Sequence, residues 1–470
     1  MSGKSSDKLQ KGLRAKEISM IALGGAMGTG IFLAMGNTIK DGGVGYAALG
    51  YALMGIIVYF VCTSLGEMAT LSPDSGSVGS YGARFIDPAL GFALSWDYWF
   101  NKTVAIATEM VAGTMIMKFW FPHISSILAS AIFLILIVAF NLLSSKLYGI
   151  TEYWFTAIKL VTVIVFIIIG ILMIVGILGK EKIGISNYFL DGGPFIGGFK
   201  SLFNIFLIAG LSFVGTELVG VAAGESENPK KEIPKAINMT FRRIYMLYLG
   251  TILIVGAVIP PSQAGVNTSI FTLVFENLGI PGAASIMNII ILSSVLSAAN
   301  SDMYASSRLL YSMAENKHAP KIFAKLNKKG IPIYGILLAI VISALCFLTG
   351  IYAEDTVYMW LIVLSSISGF IGWFGISLSH YRFRKAYVVQ GNKIKDLPYR
   401  AKLFPFGVIL SIISLIIVII GQGYIYIQQD NISGFIAAYS GIVIFILLWL
   451  GYKVKYKTKV IKLKDIKLEN

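Results

Sequence analysis

The sequence predicts an all-α polytopic membrane protein with twelve transmembrane helices. Composition, a recurring apolar span length and the placement of positive charge all point that way. The 470 residues have a mean hydropathy of +0.76, and only 13% of them are charged. A soluble chain of this size carries about a quarter charged residues, so a large soluble α/β enzyme is excluded. Uncharged runs at 133–143, 160–178 and 407–420 suit helices crossing a hydrocarbon core about 30 Å thick.

Taken in order, the first span covers 17–38 and is interrupted by Gly24, Gly25, Gly28 and Gly30. Each glycine weakens a helix by roughly 1 kcal/mol relative to alanine. Unwound backbone survives in lipid only where it is buried in protein or lines a cavity. The second span is 44–70. The third, 89–117, is long and should tilt or protrude. The fourth (124–144) and fifth (151–178) hold two of the uncharged runs. The sixth, 198–223, carries Gly210 and then Ser212-Phe213-Val214-Gly215-Thr216-Glu217, a second glycine interruption. Spans at 241–260, 282–313, 332–350, 357–380, 404–425 and 433–452 complete the set, the eighth again being long.

Loop charge sets the orientation. Lysine and arginine are dense before span 1 (Lys4, Lys8, Lys11, Arg14, Lys16) and between spans 6 and 7 (Lys230, Lys231, Lys235, Arg242, Arg243). They recur at Lys317 to Lys329, Arg382 to Lys402 and Lys453 to Lys467, whereas the other side holds only Lys40, Lys118, Lys180, Lys182 and Lys200. This positive-inside bias places both chain ends in the cytoplasm. The net charge of +15 is thus mostly a topology signal, and no nucleic-acid partner is expected. The basic N-terminus runs straight into a full span with no small-residue cleavage site, so it reads as a tail and not a cleaved signal peptide. Cys62 and Cys346 fall inside apolar segments as buried thiols, and the histidines lack metal-ligand spacing. Trp96, Trp99, Trp120 and Trp360 near span ends suit an interfacial belt.

Paired glycine-interrupted spans in two halves point to a transporter's substrate site. The interruptions in spans 1 and 6 lie five spans apart, an odd number, so the two copies would run in opposite directions. The organisation is therefore a cytoplasmic tail (1–16), a first repeat (17–178), an inverted second repeat (198–380), two added helices (404–452) and a basic tail (453–470).

At the first break, the N–H groups and positive dipole end around Gly28 to Gly30 would hold a carboxylate, with the Thr29 hydroxyl beside them. Carbonyls of Ala26, Leu211 and Val214 would accept from an α-ammonium group. The competing reading of both glycine runs is close helix packing. Ionisable residues inside the membrane are costly and are functional hypotheses by default. Glu109 in span 3 would either pair with a cationic substrate side chain or bond a neighbouring helix as a neutral acid. Glu217 would either relay protons or bond the span 1 backbone, and the plain reading of Lys159 is an internal ion pair. Asp302 is either a second substrate carboxylate or a partner for Lys102 or Arg308. Ser212 and Thr216 join the candidate substrate contacts. Glu67, Glu225 and Glu227 lie near the cytoplasmic surface and suit gate or loop contacts.

Residues 22–32, Ala-Leu-Gly-Gly-Ala-Met-Gly-Thr-Gly-Ile-Phe, resemble the first-helix signature of amino acid permeases of the amino acid–polyamine–organocation superfamily. Residues 63–68, 213–220, 223–229, 295–300 and 379–384 are similar to it as well, and the likeness covers nearly the whole chain. Within the family it is greatest to bacterial lysine-specific permeases. The resemblance implies a leucine-transporter-type fold, with spans 1–5 and 6–10 as inverted repeats and helices 1 and 6 discontinuous. It implies that Thr29 and Gly30 hold the substrate carboxylate, and that the carbonyls of Ala26, Leu211 and Val214 hold the α-amino group. Lys159 would stand at the position of a sodium site, Glu217 would act in gating or coupling, and Glu109 would border the side-chain pocket. Asp302 departs from the lysine permeases, where a small residue stands. The expected activity is proton-coupled import of a cationic L-amino acid, lysine before arginine, across a bacterial cytoplasmic membrane. No cofactor or metal is expected beyond the coupling proton, and no enzyme activity. An amino acid exchanger or a membrane amino acid sensor would be the alternatives.

Overall fold

The computed structural model describes residues 13–74, 76–142, 145–178, 183–265, 269–278, 282–428 and 432–469. Lys4, Lys8, Lys11, Lys180, Lys182 and the side chain of Glu225 lie outside the described set. Helix α1 is Ala15–Ala26, and a π-helical turn at Gly30–Ala34 leads into α2 (Met35–Leu71). A short α3 (Ser77–Phe85) precedes α4 (Pro88–Met117), α5 (Ser126–Asn141) and α6 (Ser145–Val175). Next come α7 (Gly198–Phe213), α8 (Leu218–Ala222), α9 (Pro229–Val258) and α10 (Ile270–Asn277). The chain finishes with α11 (Ala283–Glu315), α12 (Ile333–Ser343), α13 (Glu354–Val389), α14 (Phe406–Gly421), α15 (Tyr424–Gln428) and α16 (Ile432–Tyr456). Among the described residues there is no β-strand, only a single parallel bridge between Leu13 and Ser226.

Eight of the described helical stretches are long and apolar enough to cross a membrane. Their outward faces are aliphatic: Ile135, Ile168, Ile417 and Leu447 are all more than half exposed. Apolar surface on that scale needs lipid rather than water around it. Inside, α2 packs on α7 and α9, and α4 packs on α11 and α13. Helix α4 carries Asp97, Lys102 and Glu109 along its length, all three buried. Trp99 is buried as well, edge-on to Trp96 at 5.5 Å, which makes it an interior contact rather than part of a belt.

Several boundaries differ from the apolar pattern for physical reasons. The end of the first predicted span runs into the second as one helix, bent at Gly43 (φ 67°, ψ 175°). A Cβ there would lie 2.7 Å from the Pro194 carbonyl oxygen, so both conformation and space require glycine. Helix α9 starts at Pro229, well before the predicted 241, because its first turns are basic and extend beyond the apolar stretch. Helices α3 and α10 are too short and amphipathic to register as spans.

Two charge clusters join helix ends. Glu67 on α2 meets His380 Nε2 at 3.1 Å and accepts from Arg384 Nε at 2.5 Å and from the Ala401 N–H at 2.7 Å. Elsewhere the basic tail docks on the start of α4. Asp87 caps that helix by accepting the Ala89 N–H at 2.9 Å and pairs with Lys453 Nζ at 2.7 Å. The Ile461 N–H then donates to the Ile86 carbonyl (2.9 Å), and the Gln390 amide donates to Leu463 and Ile466 carbonyls (3.0 and 2.8 Å).

Burial raises the Asp87 pKa, but the Lys453 hydrogen bond and charge, with the Ala89 N–H, bring it below the ordinary carboxylate value. A depressed carboxylate pKa contributes stability that is whole above the unfolded value, about 3.9, and is lost as pH falls through the folded one. A fluorophore on Glu469→Cys, in a chain whose Cys62 and Cys346 are both buried, should report a docked tail by high anisotropy at neutral pH. Anisotropy should drop below about pH 4, and at neutral pH in Asp87→Asn. A signal unchanged in both cases would mean that the Asp87–Lys453 pair does not hold the tail.

Candidate functional site

Helix α1 stops at Ala26, where Met27 leaves helical geometry (φ −88°, ψ 69°), and helix resumes at Thr29 and the π-helical turn. Helix α7 stops at Phe213, Val214 turns to ψ 134°, and Gly215 adopts φ 107° before α8 begins. These breaks touch each other. A Cβ on Gly215 would lie 2.6 Å from the Gly25 carbonyl carbon, and one on Gly30 would lie 2.7 Å from Ser212 Cα. Close packing and unwound backbone, posed as alternatives by the sequence, coexist here: the glycines let two unwound segments meet.

Freed backbone groups at the breaks have partners. Glu109 Oε1 accepts the Thr29 N–H at 3.2 Å and the Thr29 hydroxyl at 3.3 Å. A Cβ on Gly28 would stand 2.3 Å from that oxygen, so Gly28 gives the carboxylate its room. The other oxygen of Glu109 is buried without a hydrogen bond. The Tyr248 hydroxyl reaches both breaks at once, 3.0 Å from the Ala26 carbonyl and 2.7 Å from that of Ser212. Ser212 Oγ donates to the Ile208 carbonyl at 3.2 Å and lies 2.8 Å from the Tyr51 hydroxyl. The Leu211 carbonyl accepts the Val214 N–H at 3.1 Å, and Val214 packs against Gly369. The Thr216 hydroxyl turns back onto the Phe213 carbonyl at 2.9 Å and faces Cys62 Sγ at 3.7 Å.

Two buried ammonium groups brace this centre. Lys159 Nζ donates to the Gly24 carbonyl at 2.9 Å. Lys102 Nζ sits 3.5 Å from Glu217 Oε1 and 3.3 Å from Asp302 Oδ1, so α4, the turn before α8, and α11 meet at one cation. Of the two partners proposed for Asp302, Lys102 is the one this geometry supplies. Glu217 also accepts from the Tyr98 hydroxyl (3.0 Å), the Trp373 indole (3.1 Å) and the Gly215 N–H (2.9 Å). That last bond holds its carboxylate against the second break.

Two contributors, Glu152 and Tyr248, escaped the sequence reading, and a third, Lys102, was read only in part. Glu152 is fully buried, accepts from the Ser297 hydroxyl at 2.8 Å and crowds Gly24. Its place at the start of a predicted span resembled an interfacial residue. Its spacing of seven from Lys159 was the available signal, since residues two turns apart share a helix face. Lys102 appeared only as a possible partner, and Tyr248 was indistinguishable from other span tyrosines.

The chain matches the amino acid permease family over residues 17–465. It is 46% identical over 470 residues to the lysine-specific permease LysP of Escherichia coli (strain K12), covering 98% of this chain and 96% of that protein. It is 45% identical over 471 residues to the histidine permease HisP of Lactococcus lactis subsp. cremoris (strain MG1363), covering 98% of each. Among solved structures, a manganese transporter of Eremococcus coleocola aligns with a TM-score of 0.56 at 12% identity, over 96% of this chain and 98% of that one. At that identity the likeness concerns the fold alone.

Gly215→Ala should lower the thermal unfolding midpoint. An L side chain held near left-handed geometry costs roughly 1–2 kcal/mol, and its Cβ would also push the breaks apart. A midpoint equal to the native one would contradict the close approach. Lys102→Met leaves two buried carboxylates facing each other and should cost about 3–5 kcal/mol. Adding Asp302→Asn should recover part of that loss. Losses that simply add across the two substitutions would show that the residues are not coupled.

Proposed function

The chain belongs to the amino acid permease family, and from that premise we propose that it is a proton-coupled importer of a cationic L-amino acid, lysine before arginine. The family and the apolar helices make it a multi-pass membrane protein whose relatives are transporters rather than enzymes. The finer reading is of twelve spans, a 5+5 inverted repeat and two added helices in a bacterial cytoplasmic membrane, with both chain ends inside. The positive-inside charge supports it, as do breaks at 27–28 and 214–217.

One observation carries the substrate class: a carboxylate, that of Glu109, already sits on the Thr29 N–H and hydroxyl. In this reading the substrate's own carboxylate takes that place, at Thr29 and Gly30. Glu109, displaced by it, turns to the substrate's side-chain ammonium. The α-ammonium meets the carbonyls of Ala26, Leu211 and Val214, the first released by Tyr248. Ser212 lies beside the head group and Thr216 follows across the second break. The substrate's carboxylate and side-chain ammonium would thus take the places that Glu109 and Thr29 hold for each other.

Charge counting supports both cation selectivity and proton coupling. Along α4, α6, α11 and the second break, Asp97, Glu109, Glu152, Glu217 and Asp302 are buried acids, set against three buried cations, Lys102, Lys159 and Arg308. An excess of acid in a low-dielectric interior is costly unless protons or cations neutralise it. A cationic substrate supplies one positive charge, and a proton on one carboxyl supplies another. Lys159, on the Gly24 carbonyl, and Glu217, on the Gly215 N–H, each tie a break to a neighbouring helix. Both are therefore placed to couple that charge to rocking of the broken helices.

Histidine is a rival substrate outside that order, because the likeness to the histidine permease is nearly as high. Purified protein in proteoliposomes, given an inward proton gradient and a panel of labelled amino acids, separates these readings. Lysine accumulation that collapses with the gradient is expected, without any requirement for internal amino acid. Preference for histidine, or a requirement for internal substrate, would replace the reading with the histidine carrier or an exchanger. Glu109→Gln should reduce lysine kcat/KM on the order of 30-fold or more, since losing a buried charge partner costs about 2–5 kcal/mol. Full lysine uptake and selectivity in that variant would remove Glu109 from the side-chain pocket.

A further inference from the structure

A cavity of about 210 Å³ lies away from the residues above, between α2, α7, α13 and the α14–α15 junction. Its walls include Asn37, Asp41, Asn204, Ser366, Gln422 and Tyr426. We propose that this cavity is an outer staging site, which takes the ammonium- or guanidinium-bearing side chain of the amino acid before it reaches the breaks. The inference rests on the proposed uptake of a cationic amino acid and on the orientation proposed with it.

Three features of the cavity fit a cation. Among the described residues, Asp41 is the acid in the lining, no basic residue joins it there, and its neighbour Lys40 is exposed outside the lining. The Asn204 side-chain oxygen is buried and receives no hydrogen bond. A buried acceptor in that condition is costly, and an ammonium or guanidinium group is the donor that would satisfy it. The remaining polar lining among the described residues, Asn37, Ser366, Gln422 and Tyr426, adds amides and hydroxyls rather than charge.

Position fits the same role. Asp41 and Asn37 follow Gly30 on a continuous helical path, which puts them roughly 16 and 10 Å beyond the first break at 1.5 Å per residue. At the other end, Ile208 lies in the lining and its carbonyl accepts Ser212 Oγ at 3.2 Å. Ser366 is three residues from Gly369, which touches Val214. The cavity therefore runs from Asp41 to a floor about one helical turn from the second break. A cation drawn to Asp41 arrives with its head group free to move on toward Thr29.

Initial rates of labelled lysine uptake into proteoliposomes test this in the full chain. Asp41→Asn should raise the lysine KM about fivefold while kcat stays within about twofold, the signature of lost capture rather than lost chemistry. Added salt should raise KM in the native protein and leave the variant nearly unaffected, because steering by an exposed charge is screened. Asp41→Glu should restore both KM and salt dependence, which a merely structural effect would not do. Asn204→Leu, which removes the waiting acceptor, should raise KM by about threefold. If native protein takes up no cationic amino acid, the earlier reading falls and this one falls with it. If it does take up lysine and Asp41→Asn keeps native KM and native salt dependence, the staging site alone is overturned.

Discussion

Backbone hydrogen bonding sets the terms for the rest of this molecule. A helix opened inside an apolar bundle exposes N–H and C=O groups that lipid cannot satisfy, and each must find a partner in the protein. The two openings here find them locally. Glu109 takes the Thr29 N–H, Tyr248 shares its one hydroxyl proton between the Ala26 and Ser212 carbonyls, and Glu217 takes the Gly215 N–H. Gly25, Gly28, Gly30 and Gly215 follow from the same requirement, since a Cβ on any of them would occupy the space of a partner or of the facing break. The partners then fix their own helices: α4 through Glu109, α9 through Tyr248.

Electrostatics adds a second layer. Buried charges persist when paired and hydrogen-bonded, and removing one partner is more damaging than removing both. Lys102 illustrates this, placed between Glu217 and Asp302 under a tyrosine and an indole that also bind Glu217. Two elements of α4 and α11 hold the cation together, while Glu217 belongs to the broken α7–α8 segment. Asp302 would keep Lys102 neutralised through any movement of that segment. Lys159 on the Gly24 carbonyl does a comparable job for α1, with a charge on one helix holding an opened carbonyl on another.

Much of the fold was legible because hydrocarbon imposes a simple rule: twenty or so apolar residues, then a polar turn. Boundaries failed where that rule does not apply. The basic first turns of α9 extend beyond the apolar stretch, Gly43 bends a helix without ending it, and α3 and α10 are too short to span anything. At the site, the glycine runs announced both breaks, and Glu109 and Asp302 stood out as acids in apolar surroundings. Glu152 did not, because an acid near a span end resembles an interfacial one until its burial is known. Tyr248 did not either, because tyrosine is at home in any membrane helix.

By itself, then, the sequence determined what depends on local composition: helices, their approximate spans, the two weak points in spans 1 and 6, and which side chains were too polar for their place. Tertiary structure decided what depends on distance between remote segments. It put the Glu109 carboxylate on Thr29, chose Lys102 for Asp302, and turned Thr216 toward Cys62. The physical reason is that a hydrogen bond or ion pair requires a few ångströms of separation, and chain neighbours do not fix that distance for residues eighty or two hundred positions apart. Only packing of the helices does.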